Sequence, residues 1–93
     1  HRQIACPWSM KGLVMRLLNE RLAGRDLDLT DGIKVFDERG WAQVLPDPDE
    51  PLLHLYAEGD TTETSEELAA ELRGLVEDIE SGEEALARAS REG

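Results

Sequence analysis

Asp47, Asp49 and Glu50 place three carboxylates within four residues, interleaved with Pro46, Pro48 and Pro51. Closely spaced carboxylates are the chemistry of a hard cation such as Ca²⁺. A calcium-binding helix–loop–helix motif, however, needs a longer ligand spacing and a central glycine, and the prolines restrict any wrapping of the chain around an ion. A solvated acidic loop is therefore the expectation, with no metal site. Cys6 is the single cysteine, so an internal disulfide is excluded, and with His1 and His54 it gives no zinc-like spacing. A lone thiol of this kind fits a reducing, cytoplasmic setting. It is expected to be a small buried hydrophobe, since no histidine lies near in sequence to activate it. His54 sits in an apolar run, where a lone histidine is a structural or half-exposed side chain. No nucleophile–base pair and no glycine-rich phosphate loop stands out, and no residue is assigned a catalytic role.

The composition sets outer bounds. The 93 residues carry a net charge of −11, with eight Arg and two Lys. Affinity for phosphate backbones comes from clustered Lys and Arg, so nucleic acid and anionic membranes are excluded as partners. No stretch approaches the ~20 apolar residues that span a bilayer. One domain with a modest core is expected, burying roughly 60–65% of the unfolded surface. The chain starts on His1, so a fragment of a longer protein or a tag remnant is expected.

The acidic loop has to be positioned by its flanks. Three prolines between residues 46 and 51 cannot be helix interior or central strand. Trp41–Leu45 and Leu52–Glu58 therefore read as strands joined by a stiff connection. Upstream, Gln3–Cys6 reads as a strand stopped by Pro7. Ser9 is the expected cap of a helix whose apolar stripe is Leu13, Val14, Leu17, Leu18 and Leu22. Gly12 in that helix points to a close backbone approach. Lys11, Arg16, Arg21 and Arg25 make the helix the basic part of the chain. A solvated face is the plain reading, and a contact for an acidic partner domain or a phosphate is the alternative.

Gly24 fits the helix stop, and Arg25–Thr30 reads as a loop. Asp31-Gly32 is a turn, Ile33–Phe36 a strand, and Asp37-Glu38-Arg39-Gly40 a hairpin turn. Parity places Ile33, Val35, Ala42, Val44, Leu53, Leu55 and Ala57 on one face, assigned to the core. The other face carries Phe36, Trp41, Leu45, Leu52, His54 and Tyr56, too apolar for idle surface. Thr64-Ser65-Glu66-Glu67 reads as a capping box for a second helix with the stripe Leu68, Ala69, Leu72, Leu75, Val76 and Ile79. Ser81-Gly82 is its expected end, frayed by Glu77, Asp78 and Glu80. Residues 1–82 then form the domain and 83–93 a tail, a short helix or disordered. The expected fold is α+β: two layers, a mainly antiparallel four-stranded sheet and two helices on one face, in the order β-α-β-β-β-α.

The stretch D-G-I-K-V-F-D-E-R-G-W-A-Q-V-L-P-D-P-D-E-P-L-L-H-L-Y-A-E, Asp31 to Glu58, resembles the C-terminal domain of the α-D-phosphohexomutases, the phosphomannomutase and phosphoglucomutase group. That domain reads D-G-[IV]-K, then G-W, then R-P-S-G-T-E-P, then a strand ending near V-Y-x-E. The resemblance covers Ile4 to about Ile79 and implies a TATA-box-binding-protein-like fold. The opening C-P-W-x-x-K-G-x-V-M-R, Cys6 to Arg16, together with L-P-D-P-D-E-P, is similar to a narrower group. In that group of long bacterial proteins a mannose-1-phosphate guanylyltransferase-like module precedes a phosphomannomutase-like one.

In such enzymes the resemblance implies a lid whose loop grips the substrate phosphate through hydroxyls, backbone amides and arginines. Here Leu45 stands for the Arg, Pro46 matches, Asp47 stands for Ser, Pro48 for Gly and Asp49 for Thr. Glu50 and Pro51 match, and His54 stands where a second Arg is usual. The loop thus loses hydroxyls, an amide and cations. Two like unit charges at ~4 Å repel by about 4 kcal/mol at an effective dielectric near 20, so a phosphate dianion beside Asp47 and Asp49 is expected to be rejected.

The expectation is therefore a degenerate phosphate loop with a structural or regulatory role, docking through Phe36, Trp41 and Tyr56 onto other domains of its parent chain. Hexose phosphate would bind weakly if at all. The domain holds no cofactor, and Mg²⁺ belongs to the parent if that is active. The parent is expected to be a phosphohexomutase-like isomerase, a mannose-1-phosphate guanylyltransferase, or both, and this chain is not catalytic alone. Two alternatives stay open. One is an active lid using His54 with Lys11 or Arg16. The other is a protein-interaction module unrelated to sugars.

Overall fold

A computed structural model describes the backbone of residues 1–92 and the side chains of residues 1–82. The chain runs β1 (Arg2–Ala5), α1 (Trp8–Arg21), β2 (Asp26–Asp28), β3 (Ile33–Asp37), β4 (Gly40–Pro46), β5 (Leu52–Gly59) and α2 (Thr62–Glu92). All strand pairs are antiparallel, in the order β1-β5-β4-β3-β2. The two-layer α+β class is the expected one, with a fifth strand where four were expected.

Alternation decides which face is buried. Ile33, Val35, Ala42, Val44, Leu53 and Leu55 point inward with Ile4, and Ala57 lines the margin. Val14 and Leu18 from α1, Leu22 at its C-cap, and Leu68, Ala69, Leu72, Val76 and Ile79 from α2 cover them, so both helices lie on one face. Full burial of each Val, Leu or Ile side chain stabilises by roughly 1.5–3 kcal/mol. Cys6 closes the end of this core and is fully buried. Burial, and after it the nearby Glu80 carboxylate, push its thiol up to about 11, which keeps it protonated and unreactive.

Two glycines fix the β3–β4 and β4–β5 geometry. Gly32 has φ +63°, and a Cβ there would sit 2.1 Å from the Val44 carbonyl oxygen. Gly40 lies opposite Gly59 across β4 and β5, and its Cβ would meet the Glu58 carbonyl oxygen at 2.0 Å. The Asp31-Gly32 and Gly40-Trp41 pairs are therefore places where backbones touch.

Several expectations are corrected. Asp26–Asp28, read as loop, pairs with β3 through Leu27 opposite Val35. Its two aspartates face away from the core, and their low strand propensity hides it. Pro7, not Ser9, occupies the cap position of α1, without a side-chain cap bond. Ser9 lies inside the first turn. A Cβ on Gly12 would have no neighbour within 4 Å, so no backbone approaches it. The N-terminus of α2 is capped by Thr61, whose Oγ1 accepts from the Thr64 amide at 3.0 Å. Glu67, expected in the capping box, reaches Arg39 at 3.2 Å instead. The helix continues through Ser81 and Gly82. Glu77 and Asp78 are thus not at its end, and they pair with Arg73 and Arg21, each at 2.7 Å. The expected tail, 83–93, lies outside the described side chains.

Candidate functional site

The loop after β4 turns back through a small set of bonds. The Asp47 amide donates to the Leu52 carbonyl at 3.0 Å, and the Leu52 amide to the Glu50 carbonyl at 2.8 Å. Pro46, Pro48 and Pro51 hold φ along this path. Inside the turn, Asp47 Oδ1 accepts from the amides of Asp49 and Glu50, both at 2.8 Å. Asp47 Oδ2 lies 2.7 Å from His54 Nε2. A carboxylate can only accept, so Nε2 carries the proton in this bond. These three donors, His54 first, draw the Asp47 carboxyl down to about 2.

Lys11 holds the loop from the other side. It is buried, and its ammonium donates to the carbonyl oxygens of Asp47 and Glu50. It also lies 3.8 Å from the centroid of the Trp8 ring one turn earlier, a cation–π contact. The solvated-face reading of the α1 basics thus fails at Lys11. Arg16 pairs with Glu20 at 3.7 Å along the helix. Arg21 and Arg25 reach across to α2, to Asp78 and to Glu71 at 3.1 Å. A phosphate-holding role for Lys11 meets an ammonium already bonded to two carbonyl oxygens.

The outer face of the sheet carries two clusters, and both helices pack on the opposite face. Tyr56 stacks on His1 with ring centroids 4.6 Å apart, and His1 on His54 at 5.1 Å. His1 Nε2 also lies 2.9 Å from His54 Nδ1. Phe36 and Trp41 are direct cross-strand neighbours, with the Lys34 ammonium 4.1 Å from the Trp41 ring centroid and 5.4 Å from that of Phe36. Gln43, opposite both Tyr56 and Lys34, separates the clusters. Leu45 and Leu52 are half-buried beside the loop.

Of the residues expected at the loop, Asp47 and His54 are brought into contact, while the Asp49 and Glu50 contributions are backbone amides. Among the described residues no group of three or more His, Cys, Asp or Glu side chains is arranged to hold a metal ion, and no helix is long and apolar enough to cross a membrane. Sequence reasoning named Lys11 as a candidate phosphate contact but missed its grip on the loop carbonyls, and it missed the stacking of His1 on His54 and Tyr56. The signal for Lys11 was its spacing: positions 11, 14, 18 and 22 form one buried stripe. His1 had no such signal.

No family model matches the chain. It is 37% identical over 75 residues to a protein named "Probable phosphoglucosamine mutase" from Methanopyrus kandleri, covering 78% of this chain and 17% of the relative. It is 35% identical over 81 residues to a protein of the same name from Pyrococcus furiosus, covering 82% and 18%. The chain thus spans less than a fifth of the length of the curated relatives it matches. These relatives support the phosphohexomutase family for this domain.

Proposed function

We propose that the chain is the C-terminal domain of a larger protein of sugar-nucleotide metabolism, a phosphomannomutase-like module fused to a mannose-1-phosphate guanylyltransferase-like one. In this domain the phosphate loop is degenerate, and its role is structural or regulatory docking. The observation that carries the reading is Asp47. Its carboxylate takes the Asp49 and Glu50 amides and the His54 imidazole, the donors an incoming phosphate would need. Leu45 and Asp49 add no cation. The loop fits a metal no better, because both Asp47 oxygens are already engaged. Mg²⁺, where the parent uses it, is held by other parts of that protein. The outer face, with Phe36, Trp41 and Tyr56, is the surface offered to neighbouring domains of the parent.

Isothermal titration of the domain with mannose 1-phosphate, glucose 1-phosphate and glucosamine 1-phosphate tests the loop. No binding at millimolar ligand is expected. Binding that His54→Ala abolishes would favour the active-lid reading. Docking is tested with the remainder of the parent supplied as a separate chain. Trp41→Ala is expected to weaken association at least tenfold while leaving the domain folded.

A further inference from the structure

We infer that the outer sheet face from β2 to β5 is a seat for an arginine-bearing segment of a neighbouring domain of the parent chain. The inference deepens the docking reading and rests on it for where the partner comes from. What it adds is the partner's chemistry.

The strand register builds one row across four strands. Asp26 of β2 lies opposite Phe36 of β3, Phe36 opposite Trp41 of β4, and Trp41 opposite Glu58 of β5. Directly paired residues share a face, so two aromatic rings lie between two carboxylates on the side away from the helices. Neighbouring strands are ~4.8 Å apart, which separates the acidic ends by about 14 Å. Phe36 and Trp41 are half-buried, whereas Asp26 and Glu58 are exposed. Among the described residues neither carboxylate has an ion pair. On the helix side, Glu67, Glu71 and Asp78 are each taken by an arginine.

The rings already carry a cation. Lys34, opposite Asp28 in the adjacent row, lays its ammonium over Trp41 and Phe36. Arginine is the better occupant of such a seat. Its guanidinium is planar, stacks on ring faces and is more weakly hydrated than an ammonium. Stacked on a ring, it keeps N–H groups free to donate to a carboxylate. The row supplies both, with ring faces in the middle and an unpaired carboxylate at each end. Lys34 is a tethered competitor for the rings, one cation against Asp26, Asp28 and Glu58. The net charge of −11 draws a cationic partner in and repels an acidic one. An uncharged partner would bury the two carboxylates without a counter-charge, which is costly.

The test titrates the 93-residue chain with a blocked arginine–glycine–arginine peptide and follows the backbone amide shifts of residues 26, 36, 41 and 58. The same peptide with lysine controls for charge, and with citrulline for shape. Saturable shifts at millimolar peptide are expected with arginine, weaker ones with lysine and none with citrulline. Asp26→Asn combined with Glu58→Gln is expected to weaken binding about fivefold, and Trp41→Ala about fivefold as well. Lys34→Gln removes the competitor and is expected to tighten binding. The charge variants alter exposed or half-exposed side chains, so they decide the matter even if Trp41→Ala does not fold. No saturable shift at those residues, equal binding of the three peptides, or weaker binding by Lys34→Gln overturns the inference. Association with the remainder of the parent that needs Trp41 but ignores both salt and the Asp26→Asn, Glu58→Gln pair also overturns it, and leaves the docking reading standing. Peptide binding on the row without association of that remainder removes the docking reading and leaves the arginine seat.

Discussion

Asp47 is a carboxylate held by three donors, and the sign of its effect on stability follows. Its carboxyl sits at about 2 in the folded chain against 3.8 ordinarily. The group therefore adds stability above its unfolded value, and that contribution is lost as the pH falls from about 4 toward 2. Urea unfolding between pH 5 and pH 2 is expected to show a steeper fall in midpoint for the native chain than for Asp47→Asn. Parallel profiles would mean the three donors do not stabilise the charged form.

Lys11 gives a second residue-scale prediction. Lys11→Met keeps an aliphatic side chain, but it removes the ammonium from the Trp8 ring and leaves two loop carbonyls without their charged donor. Hydrogen bonds to charged groups are worth about 1.5–3 kcal/mol, so a loss of that order is expected in urea unfolding. A loss under about 0.5 kcal/mol, the range of ordinary surface changes, would reduce Lys11 to a bystander. That role was half legible in the sequence. Its position on the Val14–Leu18 stripe could be read, but the loop it grips is brought to it only by the pairing of β1 with β5.

Among the elements, the strongly periodic ones were legible and the weakly periodic ones were not. The α2 stripe and the inward parity of β3, β4 and β5 followed from apolar spacing. β2 offers only Leu27 to the core, with acidic neighbours that suit an exposed edge, so no pattern announced it. Both ends of α2 were misread because short polar residues signal caps and stops ambiguously. Thr61, Thr62 and Thr64 crowd the helix start, and a Ser-Gly pair in an exposed helix costs about 1 kcal/mol for the glycine without ending it. Thr61→Ala is expected to destabilise by about 1 kcal/mol, and Thr64→Ala by clearly less, in chemical unfolding. The reverse order would return the cap to Thr64.

At the scale of the whole molecule, two layers around one core were legible, because one amphipathic sheet and two amphipathic helices admit few arrangements. The loop was legible as a place and only partly as chemistry. The replacement of its hydroxyls and cations can be read from Leu45, Asp47, Pro48 and Asp49. That Asp47 turns inward onto its own loop amides cannot, since it depends on the turn closing through Leu52.

The edge strand β1 sets the order in which this molecule can assemble. It is first in the chain, yet it has one strand neighbour, and Ile4 pairs with Leu53 far along the sequence. The β3–β4–β5 meander closes short loops, whereas β1 has to wait until a long loop closes. Ile4→Ala is expected to lower stability by about 2–5 kcal/mol, nearly all of it as faster unfolding, with a φ-value below about 0.3 in stopped-flow chevrons. Refolding slowed in proportion would place β1 in the nucleus. If the strand arrives last it also leaves first, and its departure would break the hydrogen bond from the Cys6 amide to the Pro51 carbonyl at the end of the acidic loop.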